Sequence, residues 1–310
     1  MTMLVKPPAL RSGDMIGIIA PASNIKEDLL GEGCRELERL GYRTRFRPDI
    51  VSSYRYFAGP DKRRVAEFRE MLTDAQVRAL FCARGGYGSG RLIPRLEPEL
   101  ICRHPKIVLG SSDITLLLSH IVKAGVVAFH GPMVATSMRQ GESAYDRRLL
   151  VDILQNGAAA RFPTEGCVAL RAGEGEGRLV GGCLSLVVST IGAPWEIDTR
   201  DSILLLEDID TKPYQIDRMI THLKQAGKFD GVRGVVFGEM LNCAQNAHQG
   251  YTLEEVVTDL LDEYDFPILY GFPTGHTSRP HIIVPLGVRA RLALGSGNVF
   301  EMLEPAVTLE

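Results

Sequence analysis

Four separated stretches of this chain carry residue types that can do covalent chemistry. In "KIVLGSSDITLLLSH" an apolar run ends at Gly110, two serines follow, and a helix-like pattern begins near Asp113. Gly110-Ser111-Ser112 supplies the first half of a G-x-S-x-G nucleophile elbow, without its second glycine. Such a turn lifts a serine hydroxyl above the sheet, and the helix N-terminus behind it favours developing negative charge. Serine and aspartate are also ordinary helix-capping residues, so on this segment alone plain capping accounts for them as well.

The second stretch, "SILLLEDIDTKPYQIDRM", ends an apolar strand in Glu207 and Asp208, at the strand end where open α/β sheets collect their sites. Lone acids in such a place are also ordinary surface residues ahead of the helix that Pro213 opens. In the third, "GFPTGHTSRPHIIVP", His276 sits in a loop of small residues, which suits an imidazole projecting into a cleft. A satisfied structural histidine is the alternative, and His281, at the start of a strand, is expected to lie outside the site. The fourth, "CARGGYGSGRLIPRL", sets glycines at 85, 86, 88 and 90 after a strand. It fits neither G-x-G-x-x-G nor a Walker loop, but its backbone N–H groups can serve an oxyanion or a carboxylate. Arg84 and Tyr87 are as compatible with packing as with binding. With no HExxH and no clustered Cys/His ligands, there is little case for zinc.

These stretches need a scaffold, and the pattern of the chain supplies one. Short β-like runs alternate with helical patterns in the first part: "MIGIIA", "YRTRFR", "VRALFCA", "KIVLG" and "VVAFHG", with helices to Leu40, over Asp61–Leu72 and over Asp113–Lys123. Repeated βα units imply a mainly parallel sheet covered by helices. Further on come "SILLLE", a helix from Pro213 to near Gly227, "GVVFGE", and the strands "HIIVPL", "VRARLAL" and "VFEML" with "GSGN" as a hairpin turn. The expected fold is therefore α/β, with a parallel-sheet domain over 1–139, a linker over 140–176 and a smaller mixed, β-rich domain over 177–310. "GEGEG" (173–177) reads as turn material in that linker. Leu179 to Trp195, uncharged but short of a membrane span, reads as a buried helix.

Composition narrows the classes. The 310 residues are ordinary for a globular chain, and 35 basic against 38 acidic residues give a formal net charge of −3. That balance argues against a nucleic-acid partner, and Arg43, Arg45 and Arg47 are expected to line a solvated strand face. Six cysteines without a CxxC pair point to reduced thiols in a cytoplasmic protein. The "MIGIIAPAS" start reads as a first strand rather than a secretory signal.

Taken together, "ARGGYG", "GSSDIT", "LLLEDID…PYQIDRM" and "GFPTGH", in this order and spacing, resemble the serine LD-carboxypeptidases, a family that includes the microcin-immunity peptidases. "GDMIGIIAPAS", "YFAGPDKRRVAEF" and "GGCLSLV" extend the resemblance over nearly the whole chain; it departs at Cys183, where the family's "GGNL" has asparagine. The resemblance implies a Ser112–Glu207–His276 triad, with Ser111 positioning the turn and the N–H groups of Gly86 and Asp113 forming an oxyanion hole. It also implies a substrate site that draws on Arg84, Gly85 and Tyr87. The implied substrate is a cytoplasmic murein peptide whose terminal D-alanine follows an L-configured centre. The implied fold is an amidotransferase-like α/β domain joined to a small β-rich domain, as a homodimer, with no metal or other cofactor. Two rivals remain: an immunity-type peptidase acting on an aminoacyl-nucleotide, which would want an aromatic platform where Trp195 is the only tryptophan, and a non-catalytic two-lobed binding protein.

Overall fold

A computed structural model describes residues 4–244 and 250–309. Its first sheet has the order β11-β5-β4-β3-β1-β2, with β11 spanning Val284–Leu286. Strands β1 (Met15–Ile19), β2 (Arg43–Arg45), β3 (Val77–Cys82), β4 (Ile107–Gly110) and β5 (Ala128–His130) are all parallel. Their apolar runs are buried on both faces, as a helix-covered parallel sheet requires: Ile16, Ile18, Leu80, Phe81, Leu109 and Phe129 are closed to solvent. The covering helices include α1 (Glu27–Arg39), α2 (Asp61–Thr73), α3 (Pro98–Arg103), α4 (Thr115–Lys123) and α5 (Arg147–Leu154).

The second sheet has seven strands in the order β13-β12-β7-β8-β9-β10-β6. Its centre is parallel: β7 (Gly173–Cys183), β8 (Ser202–Glu207), β9 (Gly234–Gly238) and β10 (Ile268–Phe272). Its edges are antiparallel: β12 (Arg289–Leu294) and β13 (Val299–Met302) on one side, β6 (Val168–Arg171) on the other. Side chains alternate between the two faces of a strand. Accordingly Ile203 and Leu205 of β8 join the core shared with the first sheet, while Leu204 and Leu206 pack on the opposite side. That opposite side is closed by α6 (Leu184–Val188), α7 (Pro213–Gln225) and α8 (Leu253–Leu260), through Leu184, Ile216, Ile220 and Val257. The two sheets thus share one core, which fixes the strand ends of one against those of the other.

Several expectations change. The segment 140–176 holds α5, β6 and the start of β7. "GEGEG" is strand: β7 alternates glycines, which pass close to neighbouring backbone, with Glu174 and Glu176, which pair with Arg291 (2.7 Å) and Arg289 (3.4 Å). A Cβ on Gly177 would stand 2.8 Å from the Asp201 carbonyl oxygen, and one on Gly175 would overlap that of Arg233. Leu179 to Trp195 divides into the end of β7, the five-residue α6 and irregular chain, because the β7–β8 pairing runs through Cys183. From "HIIVPL", β11 (Val284–Leu286) crosses back to pair antiparallel with β5 in the first sheet. Among the described residues, no helix is long and apolar enough to cross a membrane.

Candidate active site

The strand β4 delivers "GSSD" to the carboxyl edge of the first sheet. Ser111 is extended (φ −150°) and Ser112 turns into the left-handed region (φ +59°), after which the chain enters a helical turn and α4. A non-glycine residue held there stores strain of about 1–3 kcal/mol, which folding alone gives no reason to keep. Ser111 occupies the N-cap position, yet its hydroxyl makes no capping hydrogen bond. The capping explanation for the two serines therefore loses its physical basis. What the turn achieves is to present Ser112.

The glycine loop after β3 lies against this turn. A Cβ on Gly85 would stand 3.0 Å from Ser112 Oγ and 3.2 Å from the Asp113 nitrogen, so only glycine lets the backbone come this close. Asp113 ties the loop down: its Oδ2 accepts from the Ser89 N–H at 2.7 Å and its carbonyl accepts from Ser89 Oγ. Gly86 packs against Ser23, whose Oγ accepts from the Tyr87 N–H at 3.1 Å. Arg84 is exposed and reaches the Asn24 carbonyl at 3.2 Å. Tyr87 is also exposed, stacked on Phe57.

Glu207, the last residue of β8, is fully buried. Its Oε2 accepts from His276 twice, from ring Nδ1 at 2.8 Å and from the backbone N–H at 3.0 Å. Room for the carboxylate is made by glycines: a Cβ on Gly238 would stand 2.5 Å from that of Glu207, and one on Gly275 (φ +70°) would overlap the carboxyl group. Burial alone would raise the Glu207 pKa, but its interactions with His130 and His276 outweigh it and hold the group well below the usual carboxylate range. Burial likewise pulls His276 down, and the hydrogen bond and charge of Glu207 outweigh it to leave the imidazole raised. An ionised Glu207 can only accept, so the proton of neutral His276 sits on Nδ1 and its Nε2 carries the free lone pair.

Two links join the edges of the two sheets. Thr115 Oγ1, three residues after Ser112, accepts from the Cys183 N–H at 3.0 Å, and Cys183 is the register partner of Glu207. On the other side, His130 is the register partner of Gly110, and its Nε2 stands 3.6 Å from Glu207 Oε1. These two facing atoms are buried without a hydrogen-bond partner. His130 was not legible as a site residue, because a lone histidine closing an apolar run carries no pattern. His281, expected elsewhere, also serves the site: its Nε2 accepts from the Gly275 N–H at 2.9 Å, beside His276. Glu239, after β9, pins the same loop through Thr277 Oγ1 (2.8 Å) and the Ser278 N–H (2.8 Å). Among the described residues no group of three or more His, Cys, Asp or Glu side chains is arranged to hold a metal ion.

Similarity to known proteins places the chain. Residues 16–131 match the LD-carboxypeptidase N-terminal domain and residues 176–292 the LD-carboxypeptidase C-terminal domain. The chain belongs to the LD-carboxypeptidase family. It is 39% identical to a probable murein peptide carboxypeptidase of Bacillus subtilis, over 98% of this chain and 95% of that one. It is 28% identical to the microcin C7 self-immunity protein MccF of Escherichia coli, over 96% and 95%. A solved structure of a tryptophan variant of MccF with adenosine monophosphate superposes with a TM-score of 0.89 at 25% identity, covering 98% of this chain and all of that one. Both domains of the family are thus present, in the family's order.

Proposed function

We propose that this chain is a serine LD-carboxypeptidase that releases the terminal D-alanine from cytoplasmic murein tetrapeptides, with Ser112, Glu207 and His276 as its triad. The observation that carries the reading is the fixed pair of buried Glu207 and His276, whose Nε2 is left free as a base, with the Glu207 strand end tied through Cys183 and Thr115 to the strained turn of Ser112. His276 Nε2 takes the proton from Ser112 Oγ as that oxygen attacks the carbonyl before the last residue. The oxyanion is received by the N–H groups of Gly86 and Asp113. On collapse the proton passes to the departing D-alanine amine, and water, activated by the same imidazole, then frees the acyl group from Ser112. Glu207 orients the ring and stabilises its charged form throughout. Arg84 and the amides around Gly85 receive the free terminal carboxylate.

The identity to a murein peptide carboxypeptidase supports the substrate class, and dimerisation with a second copy is proposed from family resemblance alone. Incubating the chain with synthetic murein tetrapeptides and weighing the products by mass spectrometry tests the reading: loss of one alanine is expected, and intact peptide overturns it. The immunity-type reading gains one observation. The sequence seemed to offer only Trp195 for stacking, but three exposed tyrosines flank the glycine loop and the 54–57 turn. Cleavage of an aminoacyl-nucleotide with no release of D-alanine would select that alternative.

A further inference from the structure

The proposed mechanism gives His130 no task, although the fold sets this histidine between its two halves. Its backbone closes β5. There it is the parallel register partner of Gly110, the residue before the Ser111–Ser112 turn, and the antiparallel partner of Val284 in β11. The Gly131 N–H donates to the Gly110 carbonyl at 3.0 Å and tightens the same join. The His130 side chain reaches the end of β8, where its Nε2 stands 3.6 Å from Glu207 Oε1, and both residues are closed to solvent. A polar atom buried without a partner costs roughly 1–3 kcal/mol, so a ring needed only as filling would be better apolar. Here two such atoms face one another and are complementary: an ionised carboxylate oxygen, which can only accept, and a ring nitrogen, which can donate.

The second ring nitrogen, Nδ1, lies 3.3 Å from Thr274 Oγ1, whose own hydrogen goes to the Ile282 carbonyl at 2.7 Å. A hydrogen bond to an ionised oxygen is about twice as strong as one between neutral groups, so the first proton of the ring belongs on Nε2. His281, with its ring centre 6.1 Å from that of His130, spends its Nε2 on the Gly275 N–H and does not compete for Glu207. Burial acts to raise the Glu207 pKa, and of the influences that oppose it His130 is the largest.

We propose that His130 is a positioning residue for the hydrolysis, its Nε2–H holding Glu207 Oε1 as His276 holds Oε2. This rests on the triad reading above. An ordinary N–H···O contact is about 2.9 Å, and the torsion that carries a carboxylate is broad, so a modest turn of Glu207 about its bonded oxygen closes the gap. Gripped at both oxygens, the carboxylate cannot swing away while His276 takes the serine proton. Because the same residue is locked to Gly110 through its backbone, it also sets the Glu207–His276 pair against the strand that ends at Ser112. His130 touches no reacting atom, so its loss acts on kcat and leaves KM nearly alone.

One test is independent of turnover. In chain carrying isotope-labelled histidine, nuclear magnetic resonance reads which ring nitrogen of His130 holds hydrogen, the signal being assigned by its loss in His130→Gln. Near neutral pH Nε2 should be protonated, and its signal should shift in Glu207→Gln. A bare Nε2 overturns the proposal, as does a signal that ignores Glu207→Gln. The other test is kinetic, on a murein tetrapeptide. His130→Met, similar in size but without a donor, should lower kcat about 10- to 100-fold, the range for a hydrogen bond to a charged group, with KM within about twofold. His130→Gln, which restores an N–H, should recover most of that rate. In the Glu207→Gln background the same His130→Met change should cost less than about threefold, because the charge it serves is gone. Equal cost in both backgrounds marks plain packing and overturns the proposal. So does a His130→Met kcat within about twofold of the parent, or a Gln variant no better than Met. If His130→Met fails to fold, the resonance measurement decides. No alanine release by the unmutated chain would remove the carboxypeptidase reading, while the protonation of Nε2 still decides whether His130 holds Glu207.

Discussion

A single oxygen of Glu207 holds both the ring and the backbone of His276, at 2.8 and 3.0 Å. The carboxylate therefore fixes the imidazole's tilt and the loop that carries it in one interaction, and it does so from a buried position where its charge is poorly screened. Replacing Glu207 by Gln keeps the shape but removes the charge and allows the amide to turn a donor toward Nδ1. Turnover should fall by roughly 10²–10⁴-fold without vanishing. The pH profile carries a sharper signature. Burial lowers the His276 pKa and Glu207 raises it past that loss. With the anion gone the largest raising influences are lost and only the weaker ones of Asp208 and Asp210 stay, so the acid limb of kcat/KM should move to lower pH. An acid limb that stays in place would sink the assignment of His276 as the base.

Ser112→Ala should lose roughly 10³–10⁶-fold in kcat while the protein unfolds at an unchanged or higher temperature, because the hydroxyl does chemistry and not packing. Ser112→Gly should be equally inactive and no less stable than the alanine variant, since glycine accepts the φ of +59° without strain. Ser111→Ala should be far milder. A dead Ser111 variant beside an active Ser112 variant would show that the nucleophile is one residue earlier.

His281 gives the fold a pH dependence of its own. Burial, assisted by the charge of His130, lowers its pKa to about 3. Its ring stays neutral in the folded chain while the unfolded chain takes up a proton below the ordinary value of about 6.5. The unfolded state then binds more protons, so stability falls as pH drops from about 6.5 toward 3, by up to about 1.4 kcal/mol per pH unit. Urea unfolding of His281→Gln, which can still accept from the Gly275 N–H, should show a shallower loss between pH 6.5 and 4.5. An equally steep loss would mean that other groups set the acid limit.

The helices and strands that position Ser112 and Glu207 were legible because each is a local pattern: an apolar run closed by Gly110 or Glu207, a helix opened by Pro213. What escaped depends on how two sheets meet. "GEGEG" looked like a turn because glycine frees the backbone, but here it serves close approach to Asp201 and Arg233, a need set by β8 and β9. His130 joined the site only because β5 ends where Glu207 arrives from the other sheet. Tyr56 and Tyr87 are far apart in sequence and became neighbours through the loops after β2 and β3. The spacing of the four motifs fixed the family; the second layer of contacts around them is a property of the packed chain.

Stereochemistry at the last residue gives the most direct test of what the site is for. A murein tetrapeptide ending L-centre–D-Ala should lose D-alanine, while the same peptide ending in L-Ala should be a poor substrate. In the proposed mechanism the scissile carbonyl meets Ser112 Oγ with its oxygen toward the amides of Gly86 and Asp113, while the terminal carboxylate rests in its own place beside Arg84. Inverting the last centre exchanges its methyl group with its hydrogen. The carboxylate can then stay bound only if the carbonyl is drawn off the nucleophile, and displacement by about 1 Å can cost about 10²-fold in rate. Amidating the terminus removes the charge that holds this register and should suppress kcat/KM for the D-Ala peptide as well. Arg84→Ala should weaken the free acid more than the amide, so that the difference between them shrinks; this ties the effect to one side chain. Equal kcat/KM for the D-Ala, L-Ala and amidated peptides would falsify an LD-carboxypeptidase and leave the strained serine without its proposed substrate.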